Sequence, residues 1–497
     1  MADENIDEER RTRVADPNLP VIVHENPNPS GPRGHSKELL LLFVVLVTSA
    51  AFAIGGIVIR KPWRKTSVAE AAEAAATEPA SAVDASAVDA ALDAGLVEEP
   101  PPAPPFNVVL ITIDTLRADL GFAGYPRPVS ANLDRLAARS VMFERAYSTA
   151  SYTMKALCAL LTGRYASEAP RDFQHYTHFP KPNVFLGERL HAEGVRTIAI
   201  HVQRYFTLAH GMERGFDVWD LSAMPPEMKD TDARATSERI TNAAIKQLSR
   251  AEATASAEKR QLFAWLHYYD PHSPYAQRPG APDFASMPST SERRTRDVYD
   301  SEVWYTDSHV GRLLDWIASQ TWGEATAVIV TADHGEAFGE KGHFRHSREL
   351  WEPLVRVPLL IAVPGRPAKR IAVKRSHIDL VPTILELMGI TPKSEHPALR
   401  GKSLLADIDA PASATLEERD LFIDMPEGES NEMRRAIITG PTPGMKLIVR
   451  KKQLELYDLT AEPLEENMIA KDDPRFAEMR GRLEAFESKL EEKPAFR

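Results

Sequence analysis

From about Phe106 onward, short apolar runs alternate with longer amphipathic stretches. Residues 108–113, 197–201, 262–266, 327–331 and 359–363 are continuous rather than alternating in polarity. That pattern predicts strands buried on both faces, as in a parallel sheet. Between them, helical spacing of apolar positions covers residues 132–138, 184–192, 233–248, 298–318 and 378–388. Strand–helix alternation predicts an α/β fold, a mostly parallel sheet with helices on both faces. The texture changes near residue 412: residues 445–450 and 454–457 predict an antiparallel pair, and 474–492 a closing amphipathic helix. Residues 106–411 are thus expected to form the main body, with 412–497 a small α+β portion packed on it.

The first hundred residues have a different character. Residues 1–38 read as a disordered polar tail, and 60–105 as a linker rich in Ala, Pro and acidic residues. Between them Leu39–Ile59 is uncharged and apolar, long enough to span a bilayer core as one transmembrane helix. Basic residues on its two sides nearly balance (Arg10, Arg11, Arg13, Arg33 and Lys37 against Arg60, Lys61, Arg64 and Lys65), so charge does not set the orientation. A formal net charge of −11 with scattered basic residues argues against a nucleic-acid partner. A lone cysteine, Cys158, excludes an internal disulfide framework.

Two of the apolar runs end abruptly in chemistry. The run 108–113 is closed by Asp114, and the run 327–331 by Ala332, Asp333 and His334. Ligands in open α/β sheets sit at the carboxyl ends of strands. Two such ends can gather Asp114, Asp333 and His334 around one point, where two carboxylates and an imidazole suit a divalent cation.

The stretch IDTLRADLGFAGY, followed by ANLDRLAARSVMFERAYSTASYTMKALCALLTGRY, resembles the opening of the sulfatase family, within the alkaline-phosphatase superfamily. The resemblance continues through LHYYDPHSPY, TADHGEAFGEKGHFRHSRELWEPLVRVPLLIAVPG, DLVPTILELMGI and ELYDLTAEPLEEN, in family order. It implies a metal held by Asp114, Asp333 and His334, and a nucleophile at the start of the helix containing ALLTGR, where free N–H groups favour an anionic ester. That position is Thr153. Family members carry Cys or Ser there, followed by x-Pro-x-Arg, and convert it to formylglycine. Here the stretch is Thr153-Met154-Lys155-Ala156-Leu157, so no formylglycine is expected. An unmodified Thr153 could instead join the metal and attack as an ordinary hydroxyl; the bland alternative is a helix N-cap.

The resemblance further implies that His267 and His272 contact the ester or protonate the leaving oxygen, and that His346 contacts the ester. Lys155 stands near the absent Arg and could bind an ester oxygen. Arg117 and Asp119 are expected to form a structural ion pair. Thr115 replaces a second Asp, which favours one Mn²⁺ or Zn²⁺ ion over Ca²⁺. The expected protein is a single-pass membrane-anchored, metal-dependent hydrolase or transferase. Its substrate would be a sulfated or phosphorylated glycan, lipid or small molecule. The resemblance places its catalytic part outside the cytoplasm. A phospho-threonine is discharged by water more readily than a sulfo-threonine, which favours phosphorus chemistry. The alternative is a non-catalytic relative that binds sulfated or phosphorylated polymers. The oligomeric state is not legible.

Overall fold

A computed structural model describes residues 105–496, apart from 175, 207–210, 226–234, 288–292 and 430. Leu39–Ile59 lies outside the described residues; among those, no helix is long and apolar enough to cross a membrane.

The five expected strands all form, at Asn107–Ile113, Arg196–His201, Leu262–Tyr268, Thr326–Ala332 and Leu359–Ala362. Three short strands join them in one sheet. Its order is Lys369–Ile371, Val141–Phe143, Leu359–Ala362, Thr326–Ala332, Asn107–Ile113, Leu262–Tyr268, Arg196–His201, Val218–Asp220. Only Leu359–Ala362 runs against the others, antiparallel to both of its neighbours. The central strands are buried along nearly their whole length, which explains why they are continuously apolar. Alternate side chains of Leu262–Tyr268 serve the two faces. Tyr268 meets the Thr241 hydroxyl of the Ser237–Ala257 helix at 2.7 Å, while Trp265 packs with Phe206, Phe216 and Trp219 on the other side.

The helices follow the expected spacing with shifted ends: Ala131–Ala137, Leu186–His191, Ser237–Ala257, Arg293–Ala318 and Leu380–Leu387. The third begins later than expected because Asp270 takes its N-terminus. The Asp270 carboxylate accepts from the backbone N–H groups of Thr236 and Ser237 and from both their hydroxyls.

The C-terminal portion holds more sheet than expected. Leu421–Met425 and Arg434–Thr439 precede the expected pair, Met445–Arg450 and Gln453–Asp458, in a four-stranded antiparallel sheet. Charge hid the first two. Arg435 and Asp424 are buried but bonded to each other at 3.0 Å, so a strand carries them without breaking its burial. The helix Arg475–Glu487 lays Phe476, Met479 and Leu483 on this sheet against Phe422, Ile437 and Leu447. It stops short of the expected end. Lys446 is fully buried and bridges Glu352 at 3.0 Å and Glu465 at 2.9 Å, which ties the small sheet to the segment that follows Asp333 and His334.

Candidate active site

Register alone brings the two strand ends together. Ile113 stands level with Tyr268 on one side and Ala332 on the other. The next residues, Asp114 and Asp333, therefore leave adjacent strands side by side, and His267 lies one position earlier on the third strand. Donor atoms from Asp114, His267 and Asp333 all lie within 4.8 Å of one another, and all three residues are buried. His334 Nε2 is 3.8 Å from Asp114 Oδ1 and 3.5 Å from Asp333 Oδ2.

Several atoms of this cluster have no hydrogen-bond partner among the described residues: Asp114 Oδ1, Asp333 Oδ2 and His267 Nε2. A buried orphan of this kind costs on the order of 1–3 kcal/mol, and more when charged. Three convergent orphans, two of them carboxylate oxygens, fit a divalent cation, and the mixed oxygen and nitrogen set suits a transition metal. The remaining atoms are held in place. Asp333 Oδ1 accepts from the Thr115 and His334 backbone N–H groups at 3.2 and 2.8 Å. Gln203 Nε2 lies 3.4 Å from Asp114 Oδ2. Thr112 Oγ1 sits 2.9 Å from His267 Nδ1 and accepts from the Trp265 indole at 3.0 Å. The Thr115 hydroxyl donates to the Asp114 carbonyl at 2.7 Å, so Thr115 does not replace the second carboxylate as a ligand.

Electrostatics agree with this arrangement. Burial alone would raise Asp114, but His272, His267 and His334 outweigh it and hold its carboxyl below the ordinary range. Burial and then the Asp114 charge push the Asp333 carboxyl up. Burial keeps the His334 imidazole below its ordinary value, in the neutral form that binds metals.

Thr153 reaches this cluster from the helix Thr153–Thr162. It is the first helical residue, 4% exposed; the N-cap is Tyr152, so Thr153 is not the capping residue. Its Oγ1 lies 3.2 Å from His334 Nε2. His334 Nδ1 is 2.9 Å from the Gly335 carbonyl, which places the Nδ1 proton there and leaves the Nε2 lone pair facing Thr153. Cys158 is not placed to act as a nucleophile: it is buried, and burial pushes its thiol up to about 12.

His272 and His346 face Thr153 from the loops following two different strands. Both line a cavity of about 620 Å³ that also contains Thr153. His272 stacks on Tyr269 at 4.8 Å, and His346 lies 5.0 Å from His272 and 4.5 Å from His334, centroid to centroid. Glu336 was not singled out in the sequence. It is fully buried, with Oε1 3.1 Å from His346 Nδ1 and Oε2 accepting from Tyr275 at 2.5 Å. Burial opposes the charged imidazole of His346, but Glu336 prevails and raises it. Gln203 was missed as well. Gln203 follows a strand end and Glu336 lies two residues past His334, but neither position by itself marks a functional side chain.

Two expected assignments change. His267, expected at the ester, stands with Asp114 and Asp333, its Nε2 3.7 Å from Asp114 Oδ2. Lys155, expected to bind an ester oxygen, is 2% exposed and turned to the C-terminal portion. Its ammonium donates to the Pro426 carbonyl at 2.7 Å and to the Asn431 side-chain oxygen, beside the Tyr152 ring. One turn along a helix puts a side chain near its neighbour's face, but the packing around Lys155 draws it elsewhere. Arg117 and Asp119 do pair, at 2.9 Å.

Burial, and then repulsion from Arg171, push the Lys155 amine down to about 7 from an ordinary 10.5. A lowered lysine pKa means that the folded protein binds fewer protons than the unfolded chain between those values. The contribution of Lys155 to stability should therefore rise from about pH 7 towards 10.5, by at most about 1.4 kcal/mol per pH unit, and be flat below 7. Lys155→Met is expected to remove that rise in urea titrations run from pH 6.5 to 9. An unchanged slope would mean that the amine is not desolvated.

Residues 106–390 match the family model described as Sulfatase, and 339–493 the model described as N-sulphoglucosamine sulphohydrolase, C-terminal. The chain is 28% identical to a choline-sulfatase of Rhizobium meliloti over 247 residues, covering 47% of this chain and 46% of that one. It is 25% identical to an ulvan-active sulfatase of Formosa agariphila over 423 residues, 76% of this chain and 80% of the relative. Among solved structures, BT4656 in complex with D-glucosamine-2-N,6-O-disulfate shares the fold at a TM-score of 0.63 and 17% identity, covering 78% of this chain and 100% of that one. The phosphonate monoester hydrolase of Agrobacterium radiobacter shares it at 0.56 and 17%, covering 77% and 95%.

Proposed function

Because the chain belongs to the sulfatase family, we propose that it is a metal-dependent hydrolase of sulfate esters in which Thr153 supplies the attacking oxygen. The observation that carries this reading is the contact of Thr153 Oγ1 with His334 Nε2, 3.2 Å apart, beside the orphaned Asp114, His267 and Asp333 atoms. Asp114, His267, Asp333 and His334 would hold one divalent ion, Mn²⁺ or Zn²⁺ by donor type, with Thr153 beside it. A bound ion would supply Lewis-acid activation of the hydroxyl and of the ester oxygens. Asp270 is not available to a second ion, since it is spent on the Ser237–Ala257 helix.

The chain's own residues divide the remaining work. Thr153 lines the cavity at a helix start, where backbone N–H groups favour an anionic ester. Its oxygen attacks sulfur as the hydroxyl proton passes to water in the cavity, the bond from sulfur to the alcohol oxygen breaks, and His272 gives that oxygen a proton that it regains from the water of the next step. His346, whose imidazole Glu336 shifts towards the protonated form, faces the ester's non-bridging oxygens. Water then attacks sulfur, releasing sulfate and restoring the hydroxyl. The membrane tether Leu39–Ile59, with the catalytic part outside the cytoplasm, is part of the same proposal.

A second reading has a specific support. Thr153 is not a formylglycine precursor, and water discharges a phospho-threonine more readily than a sulfo-threonine. Phosphate mono- or diester hydrolysis, or transfer to an acceptor hydroxyl, fits that residue. Turnover of p-nitrophenyl sulfate, p-nitrophenyl phosphate and bis-p-nitrophenyl phosphate by the full-length protein with Mn²⁺ or Zn²⁺ decides between them. The sulfate is expected to show the highest kcat/KM. Turnover confined to the phosphates transfers the site to the second reading. A protein that binds the metal but turns over none of the three is a non-catalytic binder of such esters.

A further inference from the structure

The cavity over Thr153 is much larger than one sulfate group, at about 620 Å³. Its rim has an unusual charge. Arg204, Arg345 and Arg348 line it, and none of its described lining side chains is a carboxylate. This stands out in a chain whose formal net charge is −11. Beside the guanidinium groups, Phe344 is 43% exposed and adds an apolar face.

The segment carrying two of these arginines is held, not loose. Phe344 and Arg345 pair antiparallel with Phe338 and Ala337. The Ser347 N–H donates to the Ser151 carbonyl at 2.7 Å, two residues before Thr153. Arg345 has φ +67° and Ser347 φ +79°, the left-handed region that glycine fills most easily. A side chain kept at such a position costs on the order of 1 kcal/mol, and the pairing on both sides maintains it. The rim is thereby fixed relative to the start of the Thr153–Thr162 helix.

We propose that Arg345 and Arg348 form a second anion subsite. The substrate would then be a saccharide ester carrying, besides the sulfate that reacts, another sulfate or carboxylate on the same or the next ring. The planar guanidinium fork matches either group in two parallel hydrogen bonds. The Phe344 face suits the C–H side of a sugar ring. This inference rests on the hydrolase reading for the position of the reacting ester, but it is tested by binding.

Titration calorimetry compares glucosamine 2-N,6-O-disulfate with N-acetylglucosamine 6-O-sulfate, whose 2-substituent is uncharged, using full-length Thr153→Ala so that neither is consumed. The disulfate is expected to bind roughly tenfold more tightly, the effect of one charge-assisted pair. Adding Arg345→Ala and Arg348→Ala should bring the ratio of the two affinities close to one. Arg345→Lys with Arg348→Lys should restore part of it. A ratio near one before the arginines are removed overturns the subsite, as does a ratio that survives their removal or a failure of both sugars to bind. Turnover by the unmutated protein is read separately. A ratio that depends on the arginines without hydrolysis keeps the subsite and rejects the hydrolase. Hydrolysis with a ratio of one does the reverse.

Discussion

Thr153→Ala is expected to lower kcat on the preferred ester by at least about 10³-fold while leaving the fold intact. Loss of a nucleophile removes a bond made only along the reaction path, and such losses run from about 10³ to 10⁶. Stability should barely change. Thr153 is the first residue of its helix, Tyr152 holds the capping position, and alanine is the better helix former. The two readouts, steady-state kinetics and thermal melting, therefore separate chemistry from folding. Thr153→Ser keeps a hydroxyl at the same place and should retain a measurable fraction of the rate. Activity in Thr153→Ala within tenfold of the parent protein would remove the threonine as nucleophile and shift the attack to water.

The second large effect concerns the paired carboxylates. With saturating Mn²⁺ or Zn²⁺, the protein should melt later, since an ion at 100 times its Kd stabilises by about 2.7 kcal/mol. Asp333→Asn is expected to abolish that rise and the bound metal together. Without metal the same substitution should have the opposite sign. Burial and the Asp114 charge both act against ionised Asp333, so removing its charge relieves the repulsion and leaves the metal-free protein no less stable. Elemental analysis and paired melting curves, with ion and with EDTA, give all four values. An Asp333→Asn protein that binds the ion as the parent does would sink the site as drawn.

How much of this was legible before folding varies by element. The five long strands and most helices are readable because burial on both faces forces continuous apolar runs. The strands Leu421–Met425 and Arg434–Thr439 are not, since Asp424 and Arg435 look like surface charges until they are seen to neutralise each other. In the site, Asp114, Asp333 and His334 are readable as polar endings to apolar runs. Glu336 and Gln203 are not, because their importance lies in what they touch: His346 in one case, Asp114 in the other.

His267 and Lys155 show the boundary most clearly. His267 sits inside a strand, and only its register with Thr112, across from the end of the next strand, turns its ring towards Asp114. Lys155 stands one turn from Thr153, yet burial against residues some 270 positions later in the chain takes its amine away from the cavity. The sequence by itself determined the α/β body and the strand-end carboxylates, because periodicity and polarity act over a few neighbours, and the threonine at the helix start followed from the family resemblance of its motifs. Only the tertiary structure decided which imidazole joins the carboxylates, which lysine is lost to packing and where the arginine rim stands. Those are set by strand register and by contacts between distant segments, which no local pattern encodes.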